Sequence, residues 1–160
     1  MAEIARAVGV SRATLHRHFA TREELIVALG WRSYEAWRRV HEEIGLDAAL
    51  RTGQRLEETL HALVMGNIGA AEEHGFALTE HLMGVDPELV RGAEALEDRE
   101  VALIESCQRA GILRADLPAR WVNNALYGLL VAVRESLRNG DVARRDLPRL
   151  YLETFLKGMS

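Results

Sequence analysis

Residues 2–26 read AEIARAVGVSRATLHRHFATREELI, and this stretch decides the fold. It parses as a helix, a glycine turn, a second short helix and the capped start of a third, the order a helix-turn-helix reader of DNA requires. Ala5 is small where two helices would cross closely, and Gly9 stands where the turn wants a positive φ. Ile4, Val8, Val10 and Leu15 are spaced to close a small core behind the helix pair. The short second helix, Arg12–Phe19, is crowded with groups that can reach phosphates and base edges. Arg12 and Thr14 stand near its N-terminal end, where a side chain entering the major groove meets bases first. Ser11, His16, His18 and Arg22 are placed to bind phosphate oxygens, and Arg17 is among the groups able to reach phosphates or base edges. Thr21 would leave a helix N-terminus, with its free N–H groups, facing the backbone. Capping alone also accounts for Ser11 and Thr21, and packing beside Phe19 for His18.

Working outward, helix signals follow one another to the end of the chain, with no alternating strand pattern. Thr21-x-x-Glu24 is a capping box, so a helix starts near Arg22 and runs to about Glu43. Gly45 and the polar GLDAALRTGQ stretch should break it. A second long helix is predicted from about Gln54 to His74, closed by Gly75. A short segment, Phe76 to Met83, ends at Gly84. Asp86-Pro87 places an N-cap before a proline at the first helical position, and that helix should run to Ala110. Asp116-Leu117-Pro118 and Asp146-Leu147-Pro148 repeat the start signal for two last helices, to about Asn139 and Met159. The fold class is therefore all-α. We expect a helix-turn-helix segment and linking helix over 1–43, then a helical body over 44–160.

The 160 residues include 48% hydrophobic side chains and only three prolines, which suits an α-rich globular chain rather than a disordered one. No apolar run approaches the ~20 residues of a membrane span, and nothing at the start resembles a secretion signal, so a cytoplasmic location is expected. The net charge is −4, which by itself disfavours nucleic acid. Its distribution favours it: residues 1–39 hold seven arginines against four glutamates, a local +3. An acidic body with a basic tip suits a protein that touches DNA at one end only.

The stretch resembles the TetR family of bacterial transcriptional regulators. Ile4-Ala5, Ala7, Gly9-Val10-Ser11, Thr14-Leu15, His18-Phe19, Thr21-Arg22 and Leu25 follow the family's order without a gap. His16 stands where the family usually has a phosphate-contacting tyrosine, and Arg22 where it has lysine; both can still donate to a phosphate. The chain begins inside the pattern, so the resemblance implies that the family's first helix is absent.

The resemblance also implies a ligand-responsive regulator, a repressor that binds a palindromic operator as a homodimer and is released by a small hydrophobic effector. Trp31, Tyr34 and Trp37 recur every three positions on the linking helix; Leu60, Val64 and Asn67 line the next; Phe76, His81 and Met83 fall where the chain turns back. Such walls suit an apolar ligand, and the same residues suit ordinary core packing. For the dimer, Trp121, Ala125, Gly128, Leu129 and Ala132 form one stripe, and Leu150, Tyr151, Thr154, Phe155 and Gly158 another. Small residues among large ones permit close helix approach, as in a two-fold four-helix interface.

Other classes have less behind them. Six histidines occur, but no HExxH or CxxC pattern joins them, so no metal or other cofactor is expected. His41 and His61 have no Cys or carboxylate at ligand spacing. No nucleophile elbow or phosphate-cradling loop is present, and the glutamates of 94–105 read as an exposed helix face, so an enzyme is not expected. The single Cys107 reads as a half-buried thiol. The alternative function is a helical ligand-binding or dimerising protein that has lost DNA binding.

Overall fold

The computed structural model describes residues 1–75 and 86–159, and these are helical throughout apart from short connections. In chain order the helices are α1 (Ala2–Ala7), α2 (Arg12–His18), α3 (Arg22–Glu43), α4 (Leu46–Thr52), α5 (Leu56–His74), α6 (Pro87–Arg109), α7 (Ala119–Asn139) and α8 (Leu147–Met159), the last preceded by a 3₁₀ turn at Arg144–Asp146.

Local chemistry sets the boundaries. Ser11 Oγ accepts from Thr14 N at 3.0 Å to open α2, and Gly9 takes φ +71° in the turn before it. At α3 the capping box forms: Thr21 Oγ1 accepts from Glu24 N at 3.1 Å. The Glu24 carboxylate reaches back to the N–H of Ala20 at 2.7 Å, one residue earlier than the usual reciprocal bond. Asp86 Oδ1 accepts from the N–H groups of Glu88 and Leu89 to start α6, with Pro87 at its head.

α3 ends at Glu43 as expected, but the polar stretch after Gly45 forms a further helix, α4. Gly45 and Gly53 both take left-handed φ values around it, and Leu46 and Ala49 turn inward. Two apolar residues three apart were enough to dock one more short helix in a stretch whose composition reads as a loop. The two halves of the small core behind α1 and α2 also part company. Ala5 and Leu15 are buried and Ile4 half-buried, whereas Val8 is 61% and Val10 40% exposed. The expected segment Phe76–Met83 lies outside the described residues.

The main core lies among α3, α5, α6, α7 and α8, where Leu60, Leu63, Val64, Leu103, Ile104, Leu126, Leu130 and Phe155 are sealed from solvent. Two glycines set how closely α3 is flanked. A side chain at Gly66 of α5 would run into Val40, and one at Gly92 of α6 would meet the Tyr34 ring 2.9 Å away. Tyr151 and Phe155 belong to this core: the Tyr151 hydroxyl donates to the Leu126 carbonyl at 2.6 Å, and both rings are at most 3% exposed. They therefore cannot be the outward contacts of a dimer face, which is a correction to the stripe expected on α8. The helix turns them toward α5 and α7, and Leu150, Thr154 and Gly158 toward solvent.

Candidate nucleic-acid interface and buried polar centre

On α2 and at its flanks, Ser11, Arg12, Arg17, His18, Thr21 and Arg22 are exposed, and Thr14 and His16 are half-buried. The side chains assigned to bases and phosphates are thus at the surface of one short helix and the start of the next. Two internal bonds organise them. Ser11 Oγ and Thr14 Oγ1 lie 2.8 Å apart. His16 bridges two groups one turn away in each direction: Nδ1 is 3.2 Å from the Ala20 carbonyl, and Nε2 accepts from Arg12 Nε at 3.3 Å. A carbonyl can only accept, so the Nδ1 proton belongs to that bond and Nε2 is left as the acceptor for Arg12. His16 therefore holds Arg12, the arginine expected to approach a base edge.

Inside the body, the expected effector residues divide. Trp31 and Tyr34 meet edge to face at 5.5 Å and look toward α6, where Trp31 Nε1 donates to Asp86 Oδ2 at 3.0 Å. Backbone hydrogen bonding from Leu89, then the Trp31 bond, hold the Asp86 carboxyl below its ordinary range. Leu60, Val64 and Asn67 line the buried face of α5. Phe76, His81 and Met83 lie outside the described residues. A cleft of about 370 Å³ does open between α5 and α7, lined by Ala71, Glu72, Gly75, Val133, Arg134 and Arg144, but it contains none of the residues expected to bind a ligand.

Sequence reading missed the most unusual group in the core. Glu100, assigned above to an exposed helix face, is 0% exposed, and its Oε1 lies 2.9 Å from Nε2 of the equally buried His41. The signal was present: Leu96, Leu103, Ile104 and Cys107 surround Glu100 at helical spacing, so it rides the apolar stripe of α6. The phenol of Tyr127 faces the same carboxyl; burial first, then the carboxylate, push its ionisation well above the ordinary tyrosine range. Tyr127 also packs against Trp37, ring centres 5.9 Å apart. Glu100 Oε2, His41 Nδ1 and both amide atoms of Asn67 and of Asn123 are buried without a hydrogen-bond partner. Among the described residues, no group of three or more His, Cys, Asp or Glu could hold a metal ion, and no helix is long and apolar enough to cross a membrane.

On α7 and α8, Trp121 is 61% exposed; Gly128 and Ala132 are exposed and Ala125 and Leu129 half-buried beside it. A Cβ added at Gly128 or Gly158 would meet nothing within 4 Å in a single copy.

Comparison with known proteins agrees with this arrangement. Residues 1–29 match the pattern described as "Bacterial regulatory proteins, tetR family". The chain is 27% identical over 142 residues to the HTH-type transcriptional repressor LfrR of Mycolicibacterium smegmatis, covering 88% of this chain and 70% of that protein. The crystal structure of the TetR-like regulator LfrR in complex with proflavine superposes with a TM-score of 0.69 at 22% identity, covering 99% of this chain and 84% of the other. The ketosteroid transcriptional regulator KstR2 of Mycobacterium tuberculosis superposes at 0.67 with 18% identity, covering 99% and 83%. Residues 1–29 thus carry the tetR-family pattern, and the all-helical body behind them shares the fold of these regulators.

Proposed function

We propose that the chain is a ligand-responsive transcriptional repressor. Residues 1–43 form its DNA-reading segment and residues 44–160 a body that dimerises and takes a small hydrophobic effector. Two copies, joined through α7 and α8, would each set α2 in a major groove of a palindromic operator. The observation that carries this reading is the exposed surface of α2, with Arg12 held by His16 and flanked by Ser11, Thr14, Arg17, His18, Thr21 and Arg22. Base contacts there specify and phosphate contacts position. The exposed Trp121 and the uncrowded Gly128 support a two-fold contact through α7. The proflavine complex of LfrR supports a body that accepts a planar organic molecule.

Selection from a random pool of duplex DNA tests this. The expected product is an inverted repeat whose half-sites are about one or two helical turns apart, released when effector is added. A pool from which no sequence is enriched would overturn it, as would enrichment of a site with no two-fold symmetry.

A further inference from the structure

We propose that His16 is a specificity-determining positioning residue of the DNA reader rather than a phosphate contact. As a neutral imidazole it aims the Arg12 guanidinium at a base edge, and on protonation it releases it. This rests on the reading of α2 as the helix that enters the major groove.

Four residues at intervals of four form a relay from the reading surface to the start of α3. Arg12 Nε donates to His16 Nε2 at 3.3 Å, and His16 Nδ1 donates to the Ala20 carbonyl at 3.2 Å. The Ala20 N–H in turn donates to the Glu24 carboxylate at 2.7 Å. The far end is firm, because the backbone N–H of Glu24 is itself held by the Thr21 cap.

Arg12 is exposed, and His16 is its one hydrogen-bond partner among the described residues. An unheld arginine samples many rotamers, and ordering it on DNA costs binding free energy. Engaging Nε internally leaves Nη1 and Nη2 as a planar fork, suited to the paired O6 and N7 acceptors of guanine.

The Ala20 carbonyl takes the ring's single proton, so Nε2 accepts from Arg12 only while the imidazole is neutral. A second proton turns Nε2 into a donor and sets an imidazolium against a guanidinium. Among the charged groups on the adjoining elements, Arg12 opposes that proton and Glu24 favours it. Glu3 and Arg6 of α1, Arg17 and His18 of α2, and Arg22 and Glu23 of α3 make no bond to the ring. Imidazole changes charge in the mildly acidic range. A released imidazolium attracts any phosphate, a contact that carries no sequence information.

The test is an anisotropy titration of the intact chain on the selected operator and on a scrambled duplex, from pH 8 to pH 6 at constant ionic strength. The quantity read is the ratio of the two affinities. In the unaltered protein it should fall about threefold or more on acidification, part of the worth of one bidentate base contact. His16→Gln, whose amide oxygen can accept from Arg12 without titrating, should keep the ratio high and level. His16→Ala should lower it at every pH. A level ratio in the unaltered protein overturns the proposal. So does a fall that persists undiminished in His16→Gln, which would assign the titration to another group such as His18. Full discrimination by His16→Ala at pH 8, or a His16→Gln ratio as low as that of His16→Ala, overturns the positioning role. An unaltered chain that fails to distinguish the duplexes at any pH counts against α2 as a DNA reader at all.

Discussion

Val40 and Gly66 fix the crossing of α3 and α5: a methyl group at Gly66 would overlap the Val40 side chain. Valine is stiff about its first torsion and cannot swing aside cheaply. Gly66→Ala should therefore destabilise the fold by about 1–3 kcal/mol, the range of overpacked cores, in spite of alanine's better helix propensity. Gly69, three residues on, is exposed and would meet nothing, so Gly69→Ala should stabilise by up to about 1 kcal/mol. Urea unfolding of both variants, and of Gly66→Ala combined with Val40→Ala, checks the claim. The double variant should lose less than the sum of its parts; strict additivity would place the cost elsewhere.

Gly128→Arg should split a dimer without disturbing the protomer. A Cβ at Gly128 meets no atom of its own chain within 4 Å, so the first atom of the new side chain is accommodated by the protomer. In a two-fold seam each new guanidinium would face its symmetry mate or a near neighbour. Sedimentation equilibrium at micromolar protein, beside a circular dichroism melt, reads both quantities. A parent chain that is monomeric, or a variant that stays dimeric, would move the interface off α7.

Cys107 should be inert in the folded protein. Its thiol is 0% exposed and donates toward the Leu56 carbonyl at 3.8 Å. Burial, with Glu57 adding, pushes it up to about 11. The thiolate, the form that reacts, is thus scarce at neutral pH. A disulfide reagent should label one thiol promptly in denaturant and only slowly in native buffer. Prompt labelling of the native chain would contradict the packing of α6 against α5.

The helix boundaries were legible because their chemistry is local. Thr21 with Glu24 and Asp86 with Pro87 act within one turn, and a window of sequence contains the whole cause. Gly9 and Ala5 were legible for the same reason. Glu100 was not, since charge within its own helix argues for solvent, and the group that shares its burial, His41, lies 59 positions away. Tyr151 and Phe155 sit on the same helix as Leu150, Thr154 and Gly158. Their stripe could not show which side meets the core until α5 and α7 were placed against α8. α4 was hidden because a polar composition outweighed two inward-facing residues, Leu46 and Ala49.

The most direct test of the central claim, that α2 reads DNA, is an anisotropy titration of Arg12→Ala and Arg22→Ala on the selected operator and on a scrambled duplex in matched salt. Arg12→Ala should weaken the operator by about 1–3 kcal/mol while leaving the scrambled duplex nearly unchanged, because a base-edge contact carries sequence information. Arg22→Ala should weaken both duplexes and flatten the salt dependence by about one charge. Equal losses on both DNAs for Arg12→Ala, or no loss at all, would contradict the account.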